Sequence, residues 1–262
     1  MTRLSNYILT ESRSVEIPDS VADELIRTKC SDAMNGTLLY RGSDSHRGTV
    51  KYMEWKPGGE RVASNGAVFN IVNLLFSNLD SWSRYPKRNI SLIGITDSEH
   101  GDAYGRVFVM LPFNGGKIGV CPREDMWYSF KNINRLETGF NWVLGEIINN
   151  VYRNSVKVRL GEPKDYNVLL KYFDKVDELP KDQLYSIVFD IIEDTVEREQ
   201  FMDLMPRYFD DEGVKLIDEL NRILDPSKNG FKLMKAGAKI NGVREVWTDS
   251  PCVLAVDVRK FR

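Results

Sequence analysis

Apolar residues change their spacing several times along this chain, and each change marks an element. After Pro18 they recur at helical intervals, predicting a helix over 19–29 with Asp19 or Ser20 as its cap. Thr37-Leu38-Leu39-Tyr40-Arg41, between Asn35-Gly36 and Gly42, is a short run of β-formers and predicts a strand; 50–55, closed by Pro57-Gly58-Gly59, predicts another. Val68, Ile71, Val72 and Leu75 return to helical spacing and predict a helix over 67–79. Tyr85-Pro86-Lys87-Arg88 ends it and leads into a β-branched run over 90–95. Residues 106–111 and 117–120 read as strands joined by the Asn114-Gly115-Gly116 turn, and 138–151 reads as a helix.

The pattern then shifts. Between 165 and 224, Leu169, Tyr172, Phe173 and Val176, then Leu184, Ile187, Val188 and Ile191, then Val214, Ile217, Leu220 and Ile223 fall at helical spacing among acidic residues, until Asp225-Pro226 stops the run. These are three or four helices, read as an insert over about 165–226. Strands return at 231–234, 245–248 and 252–258. Strands at both ends of the chain around a helical stretch predict an α+β protein whose last strands rejoin a sheet begun near residue 37.

Composition narrows the function classes. Charged residues are 28% of the chain, yet they leave a net charge of only -2, so there is no global basic field for a nucleic-acid sleeve or a polybasic membrane patch. The apolar runs, such as Val107 to Phe113, fall far short of a bilayer's thickness, and no membrane partner is expected. Cys30, Cys121 and Cys252 are odd in number and widely separated, which points to a reducing compartment rather than a disulfide framework. Two histidines, His46 and His100, cannot build a His-rich metal site, and no metal is expected.

Three short segments carry candidate chemistry. In Leu39-Tyr40-Arg41-Gly42 an arginine ends a strand before a glycine, where its planar fork can meet a diphosphate while the backbone comes close. Ser91 to Thr96 places hydroxyls near both ends of a strand, followed by Ala103-Tyr104-Gly105, whose tyrosine can stack on a ring. Val243-Arg244-Glu245-Val246-Trp247 delivers a carboxylate at the start of a late strand, where it can hold a ribose hydroxyl and stabilise an oxocarbenium-like centre. For Glu245 the bland alternative is a loop carboxylate paired with Arg244 or another cation.

Taken in order, these segments resemble the R-S-E class of ADP-ribosyltransferases over about residues 37–125 and 231–258, and in particular transferases of tailed phages. The resemblance implies a mainly antiparallel split β-sheet, with 18–262 as the catalytic domain and 165–226 as a helical insert. It implies NAD as the ADP-ribose donor and a host macromolecule, protein or nucleic acid, as the acceptor. It assigns Arg41, flanked by Tyr40 and Gly42, to the NAD phosphates, Ser91 or Thr96 to the hydroxyl element, Tyr104 to stacking on nicotinamide, and Glu245 to catalysis. Arg41 and Glu245 are thereby expected in one cleft. Val243 stands two positions before Glu245, where many members carry Glu or Gln, and the acceptor stays unassigned. A non-catalytic virion or inhibitor protein and an NAD glycohydrolase are the alternatives.

Residues 1–17 form an amphipathic start, and Ile8-Leu9-Thr10-Glu11 resembles the cleaved capsid-targeting leader of T-even-type phage internal proteins. That resemblance implies a prohead scaffold and protease as partners, and packaging in the phage head before action in the bacterial cytoplasm; without it, bacterial cytoplasm alone is expected. The remaining motifs are bland. Gly101 to Gly105 is too short for a dinucleotide fingerprint, Asp97, Glu99, His100 and Asp102 read as a polar loop, and Cys121 has no nearby histidine to act as its base. Trp127, Tyr128 and Phe130 read as core, and the acidic helix bearing Phe201, Met202, Leu204 and Met205 as ordinary amphipathic packing.

Overall fold

The computed structural model describes residues 14–43, 50–53, 71–102, 105–133, 139–155 and 165–256. Contacts between Cα atoms divide the chain into two compact units, one of Met1–Ser64, Ser83–Ser129 and Gly230–Arg262, the other of Asn65–Trp82 and Phe130–Asn229. Strands and helices together make the protein α+β.

The first unit holds a nine-stranded sheet. Its strands are β1 (Ser14–Glu16), β2 (Leu39–Ser43), β3 (Val50–Met53), β4 (Leu92–Ile95), β5 (Arg106–Pro112), β6 (Lys117–Val120), β7 (Lys232–Lys235), β8 (Glu245–Thr248) and β9 (Cys252–Ala255). They lie in the order β1-β3-β9-β5-β2-β4-β8-β6-β7, and the described pairings are antiparallel. Between β2 and β4 the ladder narrows to one pair, Tyr40 with Ile95. Gly94 permits that approach, since a Cβ there would stand 2.7 Å from the Tyr40 carbonyl oxygen and 2.9 Å from the Met110 methyl.

Residues opposed across a ladder share a face, and neighbours along a strand do not. One face therefore gathers Leu39, Met53, Leu92, Phe108, Met110, Val120, Val246 and Leu254 into a single buried cluster. The other buries Val50, Val109, Leu111, Val253 and Ala255 under α1 (Asp19–Lys29) and α2 (Ser31–Asn35), through Ala22, Ile26, Cys30 and Ala33. Burying a side chain such as Ile26 contributes about 1.5–3 kcal/mol. On the β6–β8 stretch, Trp247 lies flat over Gly119, where any Cβ would collide with the indole.

The second unit consists of helices: α3 (Ile71–Asn78), α5 (Asn141–Ser155), α6 (Tyr166–Asp177), α7 (Lys181–Ile191), α8 (Thr195–Leu204), α9 (Pro206–Asp210), α10 (Leu216–Ile223) and α11 (Pro226–Asn229). Six successive residues of α3, Ile71 to Phe76, are buried, as befits a helix surrounded on all sides. Phe76 stacks on Phe130 at 5.4 Å and meets Trp82 at 4.6 Å. The Asp165 carboxylate caps α6 by accepting from the Asn167 and Val168 amides, and Asp194 caps α8 from Glu197. This unit takes in residues 65–82 and 130–164 besides the stretch from 165.

Several expectations change in detail. Pro18 occupies the N-cap of α1 and no side chain caps it, in place of Asp19 or Ser20. The strand expected over 90–95 begins only at Leu92, because Arg88–Ile90 winds into a 3-10 turn. The polar stretch at 98–102 is a short helix, α4 (Ser98–Asp102), rather than a loop. Tyr128 is exposed, unlike Trp127 and Phe130, since the 3-10 turn Met126–Tyr128 directs its third residue outward. Of the expected leader, only residues beyond Arg13 are described, and Ser14–Glu16 pair with β3. Among the described residues no helix is long and apolar enough to cross a membrane, and no group of His, Cys, Asp and Glu is placed to hold a metal ion.

Candidate functional site

β2, which carries the arginine, β4, which the two candidate hydroxyls flank, and β8, which begins with the glutamate, are consecutive in the sheet. Arg41 is buried, and its Nη1 donates to the Ile93 carbonyl at 2.7 Å. It lies opposite Phe108 on β5, and Ser43 lies opposite Arg106, so all four side chains share a face. Lys51 reaches the same place from β3: its ammonium stands 5.0 Å from the Phe108 ring centroid, and the Arg106 guanidinium stands 5.9 Å from it. Two cations, from β3 and β5, thus flank one buried ring, and Arg41 lies opposite it in the β2–β5 ladder. Burial pushes the Cys252 thiol well above its ordinary range, with Cys30 adding to the rise, while the nearby Arg41 charge pulls the other way.

The two candidate hydroxyls have different surroundings. Ser91 is fully buried before β4, and its Oγ donates to the Lys87 carbonyl at 2.7 Å, closing the 3-10 turn. It lies four positions before Ile95, about 13 Å along the strand. Thr96 follows Ile95 directly. Its Oγ1 donates to the Gly242 carbonyl at 2.8 Å and accepts from the Arg244 amide at 2.9 Å, so it clips the end of β4 to the segment entering β8. Thr96 is therefore the hydroxyl beside Glu245, and the assignment of Ser91 to the catalytic group is corrected to a turn-closing role.

Glu245 begins β8 and is opposed to Ile95, which is itself opposed to Tyr40. Tyr40, Ile95 and Glu245 form one cross-strand row and share a face; Arg41, next to Tyr40, points to the other. The expectation that Arg41 and Glu245 meet in one cleft is corrected on this ground. The Glu245 carboxylate is held from both ends. Oε1 accepts from Arg88 Nη1 at 2.6 Å and Oε2 from the Met126 amide at 3.1 Å, with both charged side chains nearly out of solvent. Its backbone amide donates to the Arg123 carbonyl, and its carbonyl accepts from the Cys121 amide. Burial drives the Cys121 thiol far above its usual range, the Glu245 charge adds to that, and Arg88 opposes it. The Arg244 guanidinium turns instead to the Val243 carbonyl at 3.0 Å.

Arg88 is the residue to which the sequence pattern assigns no role, although it heads the segment that leads into the hydroxyl-bearing strand. Tyr40 sits at the edge of the cluster under α1 and α2, on the face away from Arg41. Gly42 opposes Val107 on β5. Tyr104 lies outside the described residues. Asp97, expected in a polar loop, accepts from the amides of Glu99 and His100 at the start of α4; the His100 bond is the main cause of its lowered pKa.

The face bearing Arg41 also carries Lys51 and Arg106, the sign of charge that an anionic diphosphate requires. The carboxylate on the opposite face does not fit a role on a ribose held by Arg41. Comparison with protein-family models, with curated proteins and with solved structures finds no match to this chain.

Proposed function

We propose that the protein binds NAD and transfers its ADP-ribose to a host macromolecule, as an α+β domain of the ADP-ribosyltransferase type with a helical insert. The observation that carries this reading is the adjacency of β2, β4 and β8. The strands that carry Arg41 and Glu245 and the strand that Thr96 follows are far apart in the chain, and the fold sets them side by side, with Arg41 on one face of the sheet and Glu245 on the other. Arg41 anchors the diphosphate, and Thr96 orders the backbone beside it. With a cleaved leader, the enzyme travels in a phage head after contact with the prohead scaffold and protease, and acts in the bacterial cytoplasm.

The ion pair between Glu245 and Arg88 favours a second reading, in which the chain holds NAD without turning it over. Incubation with labelled NAD and bacterial lysate separates the two. Transfer predicts label on an acceptor and its loss in Arg41→Gln. Label that persists in Glu245→Gln removes this carboxylate from the chemistry. Binding with neither label nor nicotinamide release supports the second reading, and nicotinamide release without lysate identifies hydrolysis. Absence of both binding and turnover overturns the proposal.

A further inference from the structure

We infer that the outward faces of α7 and α8 dock a basic, amphipathic protein segment, through Phe189 and Val196 set among carboxylates. The inference concerns the second unit alone and stands independently of the NAD reading. α7 turns Leu184, Ile187 and Val188 inward. At about 100° per residue, Phe189 falls on the opposite side, in the stripe of Asp182 and Ser186, and it is 53% exposed. α8 repeats the arrangement. Phe201 is its buried residue, while Val196, 60% exposed, shares the far side with the exposed Glu199 and Asp203.

The two apolar side chains belong to one corner of the unit. Arg198, in the first turn of α8, sets its guanidinium 4.0 Å from the Phe189 ring centroid and donates to the Glu193 carbonyl, which ties the start of α8 to the end of α7. Neither side chain serves the interior, where Phe201 meets Phe140 and Phe209 instead. Charge selects what covers them. Residues 181–212 hold ten carboxylates, every one exposed, against three cations. Two of those cations are engaged within the chain, Lys181 with the Tyr208 carbonyl and ring and Arg198 with Phe189. The stretch is thus more negative than the whole chain at -2, and it repels nucleic acid, anionic lipid and the same face of a second copy. A helix with lysines or arginines beside an apolar stripe complements it, since cations meet the carboxylates while apolar side chains cover Phe189 and Val196.

A fluorescent helical peptide of leucine and lysine, its leucines at i, i+3, i+4 and i+7, tests the inference by anisotropy. Wild type should bind it saturably and bind a scrambled peptide of the same composition at least about tenfold more weakly. Phe189→Ser should weaken binding about tenfold, the loss expected for a half-covered phenylalanine. Glu199→Gln/Asp203→Asn should weaken it about fivefold at low salt, a difference that closes as salt rises. All three positions are exposed, and circular dichroism melts establish that each variant is folded. Absence of binding, equal affinity for the scrambled peptide, or unchanged affinity in either folded variant overturns the inference. Sedimentation showing a dimer that Phe189→Ser dissociates would make a second copy the occupant and would overturn it as well.

Discussion

Replacing Arg88 by methionine strands the Glu245 carboxylate in the interior, and the cost follows from the geometry. The contact is 2.6 Å, and the two side chains are only 5% and 11% exposed, so solvent screens the pair weakly. With charge centres roughly 4 Å apart, the attraction is about 4 kcal/mol at an effective dielectric constant near 20. Desolvation has already been incurred on folding, and losing one partner of such a pair typically costs about 3–5 kcal/mol. The Met126 amide still bonds Oε2 and keeps the loss toward the lower end of that range. Urea unfolding followed by circular dichroism should show Arg88→Met destabilised by about 3 kcal/mol or more. The double variant Arg88→Met/Glu245→Gln should recover part of the loss, because no charge is then left buried. A single-variant loss below about 1 kcal/mol, or a double variant equal to the sum of the singles, would mean that the pair does not hold this part of the sheet together.

Three more outcomes follow from the same geometry. Gly119→Ala should lower the melting temperature, with an overpacking cost of about 1–3 kcal/mol, since the added methyl meets the Trp247 ring; an unchanged melt refutes that contact. Thr96→Val should cost about 1–3 kcal/mol by removing the clip between β4 and the Gly242–Arg244 segment, and should also weaken NAD binding; Ser91→Ala should cost about 1 kcal/mol and leave NAD binding unchanged. Burial raises the Cys30 thiol to about 12 and the Cys121 and Cys252 thiols well above 9.0. Folded-state values above the unfolded one give stability that is present below about pH 9 and lost as pH climbs toward the folded values. A chromogenic disulfide at about pH 8 should therefore label the three thiols only on unfolding, and rapid labelling of the native protein would contradict their burial.

Local pattern was informative wherever one element supplies its own signal. The spacing over 19–29 coincides with α1, and the run over 117–120 coincides with β6. Short pieces without a period, such as β1 and α2, could not be read, since three or five residues complete neither repeat convincingly. The candidate site failed for a different reason. Alternation within β2 and within β8 is local, but the phase between them depends on β4, through the Tyr40–Ile95 and Ile95–Glu245 pairs. A shift of one residue in either pairing reverses which face Glu245 occupies. Its partnership with Arg88 spans 157 positions and is equally nonlocal. The face shared by Lys51, Arg106 and Arg41 was hidden likewise, since it emerges only once β9 and β5 lie between β3 and β2.

Calorimetric titration of NAD into wild type and Arg41→Gln tests the central claim most directly. The account predicts saturable binding to wild type and affinity at least about tenfold weaker in a folded Arg41→Gln variant. Absence of binding to wild type at millimolar NAD, or equal affinity in that variant, would contradict it.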